Sequence, residues 1–258
     1  MFRPYGETRP VLITITRTTP PWLADLAGAW IFYSVLPAWP WLEPRFERIA
    51  RFASVIGLVI GLVQALLWWG LARLGWSATA LAPFVVVLGI WLSGGLHQDG
   101  LMDTADGLAA GTERRLEAME DSRVGASGVL AIAMVLMLQL AALIRLDTLA
   151  PAALVIAGFW SRVAPLWAMA RFPYLRVDGT AGFHRRYGRP LWDVLPSAVV
   201  LSGLLLWLNP MMALVGAPVA VWSAEMLGRR LGGHTGDSYG AVVVLTGTFT
   251  LLLLALAS

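Results

Sequence analysis

Residues 126–143 read Ala-Ser-Gly-Val-Leu-Ala-Ile-Ala-Met-Val-Leu-Met-Leu-Gln-Leu-Ala-Ala-Leu, a run without a charged side chain. About 20 consecutive apolar residues allow an α-helix to cross the hydrocarbon core of a bilayer. The 258-residue chain is 58% hydrophobic and 14% charged, whereas about a quarter of the residues in a soluble domain are charged. We therefore predict an all-α, polytopic integral membrane protein.

Further apolar runs of similar length bring the predicted number of transmembrane helices to about seven: 52–71, 77–96, 149–170, 194–208, 211–227 and 241–257. Asp25 and Pro37 interrupt a weaker run at 22–39, for which we predict a re-entrant or interfacial helix. Residues 1–21 carry three arginines and lack a small-residue cleavage site, so they are predicted to be an N-terminal tail rather than a signal peptide. Residues 22–258 are predicted to form a single transmembrane domain, which carries every candidate catalytic residue.

Arginine is distributed unevenly between the two sides of this arrangement. Alternate loops from residue 41 onward hold thirteen arginines, and the loops on the other side hold Arg73 and Arg145. Positively charged loops stay in the cytoplasm. We therefore predict a multi-pass protein of the cell (inner) membrane with its arginine-rich side, and with it the candidate site, facing the cytoplasm. The thirteen are Arg45, Arg48, Arg51, Arg114, Arg115, Arg123, Arg171, Arg176, Arg185, Arg186, Arg189, Arg229 and Arg230.

The chain contains neither lysine nor cysteine. This composition excludes a lysine Schiff base, thiol catalysis, disulfides and cysteine-ligated metals. Arginine favours bidentate recognition of phosphate or carboxylate. We therefore expect an anionic small-molecule substrate and a surrounding lipid bilayer, and no nucleic-acid partner.

Residues 94–107, Gly-Gly-Leu-His-Gln-Asp-Gly-Leu-Met-Asp-Thr-Ala-Asp-Gly, concentrate acidic side chains beside an apolar run. Asp99, Asp103 and Asp106 stand at i, i+4 and i+7, so a helix places their carboxylates on one face. Three such charges repel one another unless a cation lies between them, and Mg²⁺ prefers oxygen ligands. We predict a Mg²⁺ site for phosphoryl chemistry, the alternative being a solvated acidic loop. His97 is predicted to bind substrate or, alternatively, to lie at the membrane edge.

Two further groups of polar residues lie near this stretch in the predicted topology. Asp121 and Arg123 precede the run at 126–143; they are predicted to complete a metal site and to hold a phosphate oxygen, or else to end a helix and anchor it. Arg162 lies inside an apolar run. A guanidinium there indicates an anionic partner, unless the side chain snorkels to the interface.

The turn at 232–237, Gly-Gly-His-Thr-Gly-Asp, is rich in glycine. Backbone N–H groups in such a turn, or at the start of the following helix, form a favourable seat for phosphate. We therefore predict that Gly233, His234 and Thr235 bind substrate and that Asp237 belongs to the metal site.

Three motifs together resemble the cobalamin synthase family, also called adenosylcobinamide-GDP ribazoletransferase. They are the stretch at 94–107, Asp-Ser-Arg-Val-Gly-Ala at 121–126 and Gly-Gly-His-Thr-Gly-Asp-Ser-Tyr-Gly-Ala at 232–241. The resemblance covers approximately residues 25–250. Members of the family usually carry glutamates shortly after the third motif, where this chain has Val244 and Gly247.

This resemblance implies a Mg²⁺-dependent membrane transferase of the last steps of vitamin B12 biosynthesis. Its partners would be adenosylcobinamide-GDP and α-ribazole or α-ribazole 5′-phosphate, joined with release of GMP. Self-association into a homo-oligomer, or association with other late enzymes of that pathway, is a further expectation.

Together with the implied substrates, the residues suggest roles in a direct displacement at the diphosphate. Asp99, Asp103 and Asp106 would hold one or two Mg²⁺ ions, and Asp121 or Asp237 would complete the set of metal ligands. Asp103 or Asp106 would accept the proton of the ribose 3′-hydroxyl, and Arg123 and Arg162 would offset charge on the departing GMP. Those four residues are the predicted catalytic set. The predicted substrate-binding set is His97, Arg123, Arg162, Gly233, His234 and Thr235.

Three other functions fit parts of the sequence. Asp103-Thr-Ala-Asp106-Gly107 begins the aspartate signature of CDP-alcohol phosphotransferases, but Ala110 is followed by glycine instead of arginine. A cation transporter would place its acids near the bilayer midplane, often in repeated halves, whereas these acids gather at one edge. An inactive scaffold for neighbouring enzymes is the third, motivated by Val244 and Gly247.

Overall fold

The computed structural model describes residues 19–176 and 182–258. These residues form α-helices and two short 3₁₀ turns, at Ile49–Phe52 and Asp147–Leu149. The predicted all-α class is therefore confirmed, and the β-pairing within the described ranges is one isolated bridge between Tyr174 and His234. Most of the predicted tail at 1–21 lies outside the described residues. The helices are α1 Pro21–Tyr33, α2 Ala53–Arg73, α3 Ala78–Leu92, α4 Leu96–Ala109, α5 Arg115–Glu120, α6 Ala126–Leu146, α7 Ala150–Arg171, α8 Gly182–Tyr187, α9 Pro190–Asp193, α10 Leu195–Trp207, α11 Pro210–Leu214, α12 Gly216–Leu231 and α13 Gly236–Ala257.

Four helical segments are long and apolar enough to cross a membrane: Ile49–Arg73, Ala126–Arg171, Pro210–Leu231 and Gly236–Ala257. A fifth is the pair formed by α3 and α4, if that pair is one broken span. These segments confirm a polytopic helical membrane protein. The predicted count of about seven spans stays a prediction, because α10 is a shorter apolar helix of 13 residues.

The segment Ala126–Arg171 contains two helices, α6 and α7, that both pack against α13. The Gln139 side chain in α6 donates a hydrogen bond to Thr248 in α13 (2.8 Å). Ser161 in α7 lies against Gly247, the neighbouring residue of α13. Gln139 precedes the turn at Asp147–Leu149 and Ser161 follows it, yet both lie beside the same part of α13, so α6 and α7 run in opposite directions. Two separate runs were predicted here, at 126–143 and 149–170.

Glycines bring α2 and α7 into backbone contact. A Cβ atom added at Gly57 would lie 2.1 Å from the carbonyl oxygen of Gly158, and one added at Gly61 would lie 2.6 Å from that of Leu154. Small residues spaced four apart allow such close approach between membrane helices. This packing places α7 at the centre of the bundle, where it also contacts α12 and α13.

The predicted run at 77–96 does not continue as one straight helix. It ends at Leu92, and α4 departs at 90° to α3 after Gly94 and Gly95. Both glycines have positive φ values, 64° and 71°, which other residues rarely adopt. The bend turns the polar stretch of 94–107 across the end of the bundle, where it packs against α13.

The N-terminal helix α1 is 13 residues long, about 20 Å, and thus shorter than the hydrocarbon core of a bilayer. Asp25 does not interrupt this helix as the sequence suggested. It is fully buried within α1 and accepts hydrogen bonds from Arg45 (2.6 and 3.0 Å) and Arg51. These hydrogen bonds connect α1 to the segment that leads into α2. An interfacial or re-entrant position for residues 22–39 stays a prediction.

Candidate active site

The acids of α4 lie at its crossing with α13. A Cβ atom added at Gly100 would lie 2.5 Å from the backbone oxygen of Asp237, so the two helices touch at this glycine. Asp103 consequently feels the negative charges of Asp99 and Asp237 as its main charged neighbours. Two motifs more than 130 residues apart in sequence therefore contribute carboxylates to one place.

Asp99, Asp103 and Asp237 form what we call the acidic cluster. Asp99 is exposed, while Asp103 and Asp237 are half-buried. In the described parts of the chain, no three acidic or histidine side chains converge closely enough to form a preset metal site. The donor set is nevertheless made only of carboxylate oxygens, the ligands that Mg²⁺ prefers, and Mg²⁺ usually retains several waters besides one or two carboxylates. The cluster therefore fits a metal shared with a substrate.

Asp106 has different partners, although it belongs to the same motif. Its two carboxylate oxygens accept hydrogen bonds from the backbone N–H groups of Gly125 (2.7 Å) and Gly128 (2.8 Å). These donors lie at the start of α6, where N–H groups have no partner within the helix. Asp106 thus caps α6, a role that the sequence did not reveal, and its predicted part in catalysis and metal binding stays a prediction.

Asp121 and Arg123 bind each other at the surface. The guanidinium donates to both carboxylate oxygens, with the shortest contact at 2.6 Å, and the Arg123 side chain is 88% exposed. The hydrogen bonds and charge of Arg123 lower the pKa of Asp121 to about 2. Among the described residues, no hydrogen bond or ion pair joins Asp121 and Arg123 to the acidic cluster, so their predicted metal and phosphate roles stay predictions.

The glycine-rich turn at 232–237 holds a buried histidine. His234 Nδ1 lies 2.9 Å from the Ser238 hydroxyl, and its Nε2 lies 3.2 Å from the carbonyl oxygen of Ala224. Burial lowers the pKa of His234 to about 4, so the ring is neutral at pH 7. Its backbone N–H donates to the carbonyl of Pro173 (2.9 Å).

Thr235 and Gly233 serve the local structure of the same turn. Thr235 forms a capping box with Ser238 at the start of α13, and its own N–H donates to the Ser238 hydroxyl (2.8 Å). A Cβ atom at Gly233 would lie 2.5 Å from the oxygen of Pro173. The N–H groups of residues 234 and 235 are thus already used within the chain. Phosphate binding by this turn stays a prediction, because fewer of its backbone N–H groups are free than the sequence indicated.

Arg162 and His97 lie together in the interior. Arg162 is 8% exposed and His97 is 4% exposed. One guanidinium nitrogen of Arg162 donates to Ser161 (3.1 Å), while its Nε and the Nδ1 of His97 have no hydrogen-bond partner within the described residues. The ring of Tyr33 meets that of His97 edge-on, with centroids 6.4 Å apart. An arginine with open donors and, among the described residues, no acidic partner is suited to binding an anion.

A cavity of about 750 Å³ connects these groups, and we call it the outer cavity. Acidic side chains approach it from α4 and α13, and the guanidinium approaches it from α7. It therefore offers metal-binding oxygens and an anion-binding donor to a single ligand. Its polar lining is Tyr33, His97, Asp99, Arg162, Asp237 and Tyr239.

A second cavity, of about 640 Å³, lies deeper between α2, α3, α4, α6, α7 and α13, and we call it the inner chamber. It shares His97, Arg162 and Val243 with the outer cavity. Val244 and Gly247, the positions where the resemblance led us to expect glutamates, line it as well. Arg162 consequently faces no carboxylate from α13 in this chamber.

Arg176 is a site residue that the sequence analysis did not single out. Its Nη1 lies 3.0 Å from Asp237 and its Nε lies 3.4 Å from Glu120. It thus joins α5 to the acidic cluster and balances part of the negative charge there. Its place among the arginines of the predicted cytoplasmic loops was the only signal in the sequence.

Comparison with known proteins gives a consistent result. The family model of cobalamin-5-phosphate synthase matches residues 25–255. Curated relatives called adenosylcobinamide-GDP ribazoletransferase include one from Prochlorococcus marinus strain MIT 9303, 62% identical over 92% of this chain and 96% of its own length. Another, from Trichormus variabilis, is 36% identical over 91% of this chain and 97% of its own length. No solved structure matches the chain.

Proposed function

The chain belongs to the cobalamin-5-phosphate synthase family, and we propose that it acts as an adenosylcobinamide-GDP ribazoletransferase. The reaction joins adenosylcobinamide-GDP to α-ribazole or its 5′-phosphate and releases GMP. The observation that supports this reaction at a particular site is the outer cavity, because Asp99, Asp237 and Arg162 all line it. Family membership favours this reaction over a CDP-alcohol phosphotransferase and over a cation transporter.

The acidic cluster is suited to holding Mg²⁺ on the substrate diphosphate. Asp99, Asp103 and Asp237 would be the protein ligands, and the ion would neutralise charge on the phosphate oxygens. Arg176 now compensates Asp237. A bound divalent cation would supply the same compensation, and Arg176 would then be a candidate donor to a phosphate oxygen. The fit rests on three mutually repelling carboxylates at one helix crossing.

The transfer itself requires positioning and one proton acceptor. The ribose 3′-oxygen attacks the phosphorus attached to cobinamide, a new P–O bond forms, and the bond to the GMP oxygen breaks. The hydroxyl proton passes to a carboxylate, for which Asp103 is the candidate whose oxygens are not engaged in capping a helix. Arg162 offsets the negative charge that develops on GMP, since a buried guanidinium acts strongly in a water-poor site.

The location of this chemistry follows from the arginine distribution. The long apolar helices make this a membrane protein, and the acidic cluster lies at the end of the bundle where the arginine-rich loops gather. Because positive loops remain in the cytoplasm, we propose the cytoplasmic face of the cell membrane as the place of reaction. Association with a second copy or with other enzymes of the pathway remains an expectation from the resemblance.

A turnover assay tests the proposed reaction. Purified protein in liposomes receives adenosylcobinamide-GDP and α-ribazole 5′-phosphate, first with Mg²⁺ and then with EDTA, while GMP and the corrinoid product are quantified. We expect equal amounts of both products with Mg²⁺ and neither with EDTA. Release of GMP without formation of the joined corrinoid would contradict the transferase assignment. Undiminished turnover in EDTA would contradict the proposed dependence on Mg²⁺.

A further inference from the structure

The inner chamber contains buried polar groups, of which Arg162 alone has a role in the proposed chemistry. Arg162 Nε, His97 Nδ1 and Gln98 Oε1 are buried without a hydrogen-bond partner among the described residues, and all three side chains line this chamber. Buried polar atoms are nearly always satisfied in native proteins, by the chain itself, by water or by a ligand. Three such atoms around one cavity therefore indicate an occupant that offers both donors and acceptors.

Other polar side chains already have one partner and keep further capacity. The amide nitrogen of Gln64 donates to the carbonyl of Val85 (2.7 Å), and that of Gln139 donates to Thr248 (2.8 Å). Each of these bonds fixes the side chain and leaves its carbonyl oxygen as an acceptor. The chamber thus presents fixed glutamine oxygens, which suit a ligand that carries hydroxyl groups.

Apolar side chains make up much of the remaining lining and suit an uncharged ring. They come from five of the six surrounding helices: Ile60, Val86, Ile90, Leu143, Leu154, Val243, Val244 and Leu251. Arg162 is the one side chain with a permanent charge in the lining that the structure describes. The empty space of the chamber, with its open mouth included, is about 640 Å³.

We propose that the inner chamber seats the acceptor nucleoside, with its apolar ring among the aliphatic side chains and its ribose hydroxyls toward the glutamines and His97. This assignment rests on the proposed function and adds to it the place of the second substrate. The shared residues His97 and Arg162 connect the chamber to the outer cavity. A ribose bound at that junction presents its hydroxyl to a diphosphate held by the acidic cluster.

Gly247 offers a direct way to fill the chamber. A Cβ atom there meets its nearest neighbour, Ser161, at an ordinary distance of 3.6 Å, so Gly247→Ala is sterically tolerated and Gly247→Leu extends further into the space. Gly203 in α10 provides the matched control, because nothing lies within 4 Å of a Cβ atom added there. Gly203→Leu makes the same chemical change outside the chamber.

The test measures both Michaelis constants and direct binding. We expect Gly247→Leu to raise KM for α-ribazole by about tenfold or more, equivalent to about 1.4 kcal/mol, with Gly247→Ala intermediate. KM for adenosylcobinamide-GDP should stay within about twofold of wild type, and Gly203→Leu should change neither constant. Equilibrium dialysis with α-ribazole alone should show the same order of affinities, which makes the result independent of turnover.

Three results would overturn the proposal. One is an increase in KM for adenosylcobinamide-GDP instead, which would assign the chamber to the donor. Another is wild-type affinity for α-ribazole in a folded Gly247→Leu protein, which would mean that the chamber holds only water. The third is an equal loss in Gly203→Leu, which would indicate a general effect of the larger side chain. If wild type binds α-ribazole in dialysis but forms no corrinoid product, the proposed function is contradicted, whereas binding of α-ribazole in the inner chamber is not.

Discussion

The acidic cluster and the residues around the start of α6 contain the same side chains but differ in their partners. Asp103 lies among other carboxylates, whereas Asp106, three residues further along α4, accepts two backbone N–H groups. Asp121 and His234 resemble Asp106, because the chain itself supplies their hydrogen-bond partners. A sequence motif therefore identifies candidate residues. Which of them are available to a ligand depends on whether the chain itself already supplies their hydrogen-bond partners.

Replacing Asp103 should have the largest effect on activity. Asp103→Asn removes one charge from the acidic cluster and the candidate proton acceptor. We expect the loss of at least about a hundredfold in kcat/KM, as for groups that act directly on the reacting phosphate. Turnover with Mg²⁺ in liposomes measures it. Near-wild-type turnover in a correctly inserted protein would remove Asp103 from the mechanism.

The Arg162→Lys variant tests the positive side of the outer cavity. A lysine keeps the charge but loses the planar pair of donors. We expect kcat/KM to fall by about tenfold to a hundredfold, corresponding to about 1.4–2.8 kcal/mol, without loss of membrane insertion. A variant as active as wild type would indicate that Arg162 merely supplies charge or snorkels toward the interface.

Asp106 should affect stability before activity. Asp106→Ala removes both acceptors from the start of α6, and loss of a helix cap costs about 0.5–2 kcal/mol. Asp106→Asn keeps one acceptor oxygen and should lose less. Thermal unfolding in detergent compares the two, with turnover measured well below the melting temperature. A folded Asp106→Asn protein that is as inactive as Asp103→Asn would restore the catalytic role that the motif predicted.

The smallest effect is expected at Asp121. This pair with Arg123 is exposed, and such ion pairs contribute little to stability. Because the folded-state pKa of Asp121 is lowered to about 2 from an ordinary value of about 3.9, its stabilising effect is complete above the ordinary value. That effect disappears as the pH falls through about 2. Melting temperatures of wild type and Asp121→Asn should therefore differ by the same small amount at pH 5 and pH 8. A loss of turnover in Asp121→Asn would instead support the predicted metal role.

Sequence periodicity predicted the parts of the fold that depend on local composition. The apolar runs at 52–71 and 241–257 became the long helices α2 and α13, because an unbroken apolar run in a bilayer has few alternatives to a helix. The bend between α3 and α4 depends on positive φ values at two glycines. Glycine permits such φ values without requiring them. From the sequence alone, the run at 77–96 was therefore predicted as one uninterrupted helix.

The site was predictable in its residue types but not in its partners. The acids of 94–107 were visible because their spacing places them on one helix face. The cap formed by Asp106 joins residues 19 and 22 positions apart, and the contact of Arg176 with Asp237 joins the loop after α7 to the first turn of α13. Neither contact has a local sequence pattern. The inner chamber likewise needs six helices in place before its polar atoms become neighbours.

Metal binding by matched variants tests the central claim most directly, with Mn²⁺ as a paramagnetic substitute for Mg²⁺. Electron paramagnetic resonance would count free Mn²⁺ during titration of wild type, Asp103→Asn and Asp106→Asn with adenosylcobinamide-GDP present. We expect Asp103→Asn to bind Mn²⁺ at least about tenfold more weakly than wild type, in line with the loss of a metal ligand. Asp106→Asn should bind Mn²⁺ with wild-type affinity. Weaker binding in Asp106→Asn together with unchanged binding in Asp103→Asn would contradict it.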